Sequence, residues 1–139
     1  ERTAHRVISA PTAALVTHML RDAVIHGTGK KAEVAGYRVA GKTGTAEKAV
    51  AGGYARNVNM ASFAAIFPAD SPEYVVLIVL DSPKADVGRG RTASWNAAPT
   101  AGRVIDRIAP MLGVEPRFDE FDRQGNPAVR SVAERRSTL

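Results

Sequence analysis

A chain of 139 residues fits one compact domain, and 45% apolar with 24% charged residues exclude a wholly disordered polypeptide. The net charge of +5 is uneven: residues 1–114 carry fourteen basic and nine acidic groups, and residues 115–139 carry five of each. Zero cysteines exclude disulfides, thiolate metal sites and cysteine nucleophiles, and the longest apolar run, Tyr74 to Leu80, falls far short of the roughly 20 residues a spanning helix needs.

Ser9-Ala10-Pro11 reads as a helix start, a capping hydroxyl followed by a proline where no amide donor is needed. Leu15, Val16, Met19, Leu20, Ala23 and Val24 then recur at helical spacing and predict one buried face, with Gly27 ending the helix. Lys30 to Gly36 reads as a polar connection. Tyr37 to Ala40 predicts a short strand entering Gly41-Lys42-Thr43-Gly44-Thr45. Glycines and Asn57 mark a loop between Lys48 and Asn59, and Met60 to Phe67 a second strand. The turn Pro68-Ala69-Asp70-Ser71-Pro72 leads into Tyr74 to Leu80, an antiparallel partner expected to be buried on both faces. Pro83 to Arg91 is a basic loop. Pro99 to Leu112 predicts a second helix burying Val104, Ile105, Ile108, Met111 and Leu112, with Gly113 after it. From Glu115 apolar residues thin out, and this stretch is expected to run over the surface or bind something. The sum is an α+β unit of helix, three antiparallel strands, helix and extended tail.

Three patterns resemble sites without the context a site needs. Gly36 to Thr43 matches the phosphate-loop spacing G-x-x-x-x-G-K-T, but its intervening residues are strand-forming and Thr43-Gly44-Thr45 starts a helix poorly. His18, Asp22 and His26 stand one helical turn apart, opposite the apolar positions, and read as a solvated stripe, so no metal or cofactor is expected. Arg89 and Arg91 lack interleaved aromatics, which favours a solvated loop over a nucleic-acid surface.

Lys42-Thr43-Gly44-Thr45 carries the chemistry. On an edge strand, alternation sends Lys42 and Gly44 one way and Thr43 and Thr45 the other. An open edge can take an extended substrate as a further strand, and Gly44 lets it approach the backbone. Two hydroxyls and an ammonium suit a carboxylate, and the Thr45 amide can supply an oxyanion donor. Arg38, Lys42, Lys48 and Arg56 against Glu47 leave +3 in nineteen residues around it.

The run Gly36 to Ala46 resembles the third active-site motif of penicillin-binding transpeptidases, relatives of the serine β-lactamases. Gly27-Thr28-Gly29 before it, Ala61-Ser62-Phe63 and Phe67-Pro68-Ala69-Asp70 after it, and Ala97-Ala98-Pro99-Thr100 are similar to class B members, most of all the septal type of Gram-negative bacteria. The resemblance covers about residues 1–114 as the C-terminal portion of a transpeptidase domain, with 115–139 a charged tail. It implies a D,D-transpeptidase crosslinking peptidoglycan stem peptides through a serine acyl-enzyme that β-lactams trap. Lys42 would bind the substrate carboxylate and maintain the proton network, Thr43 and Thr45 would hold that carboxylate, and the Thr45 amide would complete the oxyanion hole. No cofactor and no nucleic acid is implied.

One part of the family pattern is missing. No serine is followed by a lysine three residues on, so the S-x-x-K nucleophile and base are absent. Ser94-Trp95-Asn96 fits S-x-N but follows the Lys-Thr-Gly motif instead of preceding it. With no leader pattern and an opening of Glu1-Arg2-Thr3, the chain is expected to be a fragment, inactive alone. Its parent would be anchored by an N-terminal segment and act at the periplasmic face of the bacterial inner membrane. The family's five-stranded sheet would leave an open edge beside Tyr74 to Leu80. Association with the missing N-terminal part, homo-oligomerisation or strand swapping is therefore expected. The rival readings are a non-catalytic interaction module and a phosphate-loop protein.

Overall fold

The computed structural model describes residues 5–84 and 90–118, with backbone alone at 55–57. Helix α1 spans Ala10–Ile25, strands β1, β2 and β3 span Ala40–Val50, Gly53–Phe67 and Tyr74–Asp81, and helix α2 spans Ala97–Ile108. The strands form one antiparallel sheet in the order β1-β2-β3. The α+β architecture expected from the sequence is the one observed.

Local chemistry sets the element ends. The Ser9 hydroxyl accepts from the Thr12 amide at 3.2 Å and Pro11 sits in the first turn, so α1 starts where predicted. A helical turn at Pro110–Leu112 follows α2, and Gly113 takes a left-handed φ of 75° after it. The predicted strand over Tyr37 to Ala40 is displaced. Val34 and Tyr37 form only an isolated bridge, and β1 begins at Ala40, so the Lys-Thr-Gly motif lies inside a strand. The predicted loop between Lys48 and Asn59 is likewise a continuation of both strands. Lys48 lies at a bulge between Glu47 and Ala49, and the hairpin closes at Val50↔Gly53 around Ala51-Gly52.

The core lies on one sheet face. Ala61, Phe63, Ala65 and Phe67 of β2 are fully buried beneath Ala97, Ala98, Ala101 and Ile105 of α2. Each of the larger side chains contributes about 1.5–3 kcal/mol of apolar burial. Phe67 stacks on Tyr74 with centroids 5.4 Å apart. Lys30 to Gly36, expected to be a polar connection, instead carries Ala32 and Val34 into this core, and Gly102 of α2 packs against Ala32.

Three burial expectations are corrected. On α1 only Val24 is buried, whereas Leu15 and Met19 are each 63% exposed and Val16 45%, because no described element packs over that face. β3 is not buried on both faces: Tyr74, Val76, Ile78 and Leu80 pack on the core while Val75, Leu77 and Val79 are open. Met111 and Leu112 are exposed, since α2 ends before them, and smaller residues, Ala101, Gly102 and Ala109, fill the contact.

The chain after α2 turns back to the start of β1. The Arg117 amide donates to Gly36 O at 2.9 Å, and its guanidinium reaches Asp70, which Arg38 also contacts. Gly36 has φ 83°, and a Cβ there would meet Pro116 and Phe118 at under 3 Å. Residues 119–139 of the charged tail, and 85–89 of the basic loop including Arg89, lie outside the described residues.

Candidate functional site on the β1 edge

β1 is an edge strand paired only with β2, so its other side lies open among the described residues. Register fixes which face each motif residue takes. Lys42 and Gly44 lie opposite Ala64 and Ser62, and Thr43 and Thr45 opposite Phe63 and Ala61. The ammonium and the two hydroxyls thus project from opposite faces, and a ligand lying along the open edge can meet both.

Each group has a distinct setting. Lys42 is exposed, its Nζ 2.9 Å from the carbonyl of Thr43. Thr43 is half-buried and its hydroxyl lies 2.7 Å from that of Thr28 in the turn after α1. The Thr45 hydroxyl accepts from the Ala93 amide at 3.0 Å. Gly44 accepts at its carbonyl from the Ser62 hydroxyl at 3.3 Å. Thr28 and Ala93 are partners that motif reading does not single out. The signal for Thr28 is its place in Gly27-Thr28-Gly29, and for Ala93 there is none.

Neighbouring charges brace the strand. Arg21 of α1 donates to Val39 O at 2.9 Å just ahead of β1, and its guanidinium grips the Glu33 carboxylate with both terminal nitrogens. At the far end, Lys48 pairs with Asp81 of β3. Hydrogen bonds from Lys48 first and Ser82 second hold the Asp81 carboxyl below the ordinary carboxylate range.

The other patterns separate from this site. Gly36 to Thr43 runs into a strand with no helix after it, which removes the phosphate-loop geometry. His18, Asp22 and His26 are exposed, and the described residues hold no group of three or more His, Cys, Asp or Glu suited to a metal. Ser94-Trp95-Asn96 lies in the approach to α2, where the Ser94 hydroxyl meets Thr92 at 3.0 Å.

A family model for the penicillin-binding protein transpeptidase domain matches residues 1–106. The chain belongs to that family. It is 46% identical over 125 residues to the probable peptidoglycan D,D-transpeptidase FtsI of Caulobacter vibrioides, a match covering 82% of this chain and 21% of that protein. It is 40% identical over 119 residues to the stage V sporulation protein D of Bacillus subtilis, covering 86% of this chain and 18% of that one. The transpeptidase domain of Burkholderia pseudomallei penicillin-binding protein 3 superposes with a TM-score of 0.73 at 36% identity, over 83% of this chain and 34% of that domain. Penicillin-binding protein 3 of Mycobacterium tuberculosis, complexed with ampicillin, gives 0.71 at 36% identity over 89% of this chain and 28% of that one. The chain thus spans about a fifth of the length of these curated relatives and is a partial transpeptidase domain.

Proposed function

We propose that this chain forms one wall of the active site of a peptidoglycan D,D-transpeptidase of the septal type. The observation that carries the reading is Lys42-Thr43-Gly44-Thr45 on an open edge strand, in a chain whose relatives are named as D,D-transpeptidases. The stem peptide adds along β1 as an extended strand. The Lys42 ammonium and the Thr43 and Thr45 hydroxyls hold its terminal carboxylate, and the Thr45 amide donates to the oxyanion. A serine from outside this chain attacks the penultimate D-Ala carbonyl, expels the terminal D-Ala, and the resulting ester passes to an amine of a neighbouring strand. β-Lactams open on the same serine. A cocrystallised ampicillin in the Mycobacterium tuberculosis relative supports that ligand class.

The parent protein acts at the periplasmic face of the bacterial inner membrane, held by an anchor outside this chain. The open apolar face of β3 and α1 meets the rest of the domain, and in the isolated chain it drives pairing with a second copy. The complete domain should take one equivalent of fluorescent penicillin, and Lys42→Ala should slow labelling about 100-fold, the scale for losing one preorganised charge contact. Labelling of Lys42→Ala at the unaltered rate would refute the assignment of this wall.

A further inference from the structure

We propose that Asn96 is a positioning residue for Thr45, acting through the backbone of Ala93 to aim the Thr45 hydroxyl along the open edge of β1. The inference rests on the proposed role of Thr45 as a carboxylate ligand.

Asn96 occupies the N-cap position of α2, where an Asn side chain ordinarily accepts from an amide of the first helical turn. Here it makes no such bond. Its carboxamide Nδ2 donates instead to Gly90 O and Thr92 O, each at 3.3 Å, closing the turn that delivers Ala93. The Trp95 amide adds a bond to Thr92 O at 3.0 Å, and Asn59 of β2 donates to Arg91 O at 3.2 Å. The Trp95 ring packs against Gly90, with the Lys31 ammonium 4.2 Å from its centroid. Three successive carbonyls, at 90, 91 and 92, are therefore held by side chains.

Ala93 is the outcome of that bracing. It is fully buried, its carbonyl accepts from the Ala98 amide at 2.9 Å, and its own amide donates to Thr45 Oγ1 at 3.0 Å. A hydroxyl has one hydrogen and two lone pairs. With one lone pair taken by a fixed amide, Thr45 loses rotor freedom and keeps its hydrogen to give to an anion. The Ala98 amide, which a capping side chain would take, goes to Ala93 O, and Pro99 has no amide to cap, so the Asn96 carboxamide serves the 90–93 turn alone.

Asn96→Asp separates the two roles. Aspartate suits the positive end of a helix better than asparagine, so an Asn96 that serves α2 alone predicts an unchanged or tighter helix in the variant. A carboxylate cannot donate to the two carbonyls. Hydrogen exchange in this chain should show the Ala93 amide opening at least ten-fold faster in N96D while Ile105 in α2 keeps its protection. In the complete domain, penicillin should bind about ten-fold more weakly before acylation, one hydrogen bond's worth, with the maximal acylation rate kept. T45V should show the same loss, N96D with T45V no further loss, and a penicillin methyl ester should distinguish none of them. If N96D loses protection at Ile105, N96S, which is too short to span both carbonyls, takes its place with the same expectations. An unchanged Ala93 exchange rate, or equal losses with acid and ester, overturns the proposal. A complete domain that penicillin never acylates overturns instead the reading on which it rests.

Discussion

Gly41 and Gly44 stand three positions apart on β1 and would respond differently to a methyl group. At Gly41 a Cβ would sit 2.6 Å from both Ala64 O and the Phe63 ring, a backbone atom and a fully buried side chain. Gly41→Ala should therefore cost about 1–3 kcal/mol, read as a lower urea midpoint. At Gly44 the near neighbour is the Ser62 hydroxyl at 2.7 Å, which can rotate away. Gly44→Ala should cost only about 0.5–1 kcal/mol, the Ser62 bond to Gly44 O given up, while slowing acylation in the complete domain, because on the proposed function the methyl group stands where the ligand approaches. A loss of stability at Gly44 matching that at Gly41 would contradict this division. Tyr37 gives a pH signature. Burial first, and the Asp106 carboxylate second, raise its phenol above the ordinary value of 10.0. The neutral form is favoured by folding, so this stability is complete below about pH 10 and falls away as pH rises through the raised value. Tyr37→Phe should flatten the alkaline limb of the stability profile, and an unaltered limb would assign it elsewhere.

The elements show what a sequence can reveal of this site. Ser9 and Pro11 fix the start of α1 because capping is local, and the Pro68 to Pro72 turn fixes the β2–β3 hairpin for the same reason. The motif residues are legible as a candidate set, since an ammonium, two hydroxyls and a position without a side chain suit a carboxylate, while the strand that carries them sets them apart from a phosphate loop. The length of β1 and β2 is not. Glycine, alanine and lysine between 48 and 59 have weak strand preference, and pairing across the hairpin overrides it. The helical period of Leu15, Val16 and Met19 was correct, yet periodicity cannot say what covers a face. Thr28 stands in the quoted Gly27-Thr28-Gly29 segment, whereas Ala93 reaches the strand from a distant part of the chain through a backbone amide, which no local pattern encodes. The Lys48–Asp81 pair ties β1 to β3 across β2 and carries its own expectation. The lowered Asp81 carboxyl contributes stability above its unfolded value near 4 that is lost as pH falls through the folded one, and salt screens this exposed pair. Lys48→Met should move the Asp81 carboxyl titration, followed by NMR, upward toward the ordinary range while the Ser82 bond keeps it somewhat below; no movement would leave Ser82 as its cause.

At the scale of the whole molecule, one sheet face is a packed core and the other is open among the described residues. β3 pairs only with β2 among the described residues, and Val75, at 76% exposed, stands with Leu77 and Val79 beside that free edge. Such an edge templates pairing with another strand. Sedimentation should show the isolated chain associating as concentration rises, and Leu77→Lys should return it toward monomer; a monomer at all concentrations would show the face to be self-sufficient. The excess of basic residues lies within residues 1–114, which include β1, a balance that suits the anionic ligand proposed for that strand. On the proposed function these residues supply a carboxylate-binding wall and an oxyanion donor, and the nucleophile comes from outside the chain. Intact-mass measurement after incubation with penicillin tests this most directly. The chain alone should gain no mass and the complete transpeptidase domain should gain one penicilloyl group; a stable adduct on the chain alone, or none on the complete domain, would contradict it.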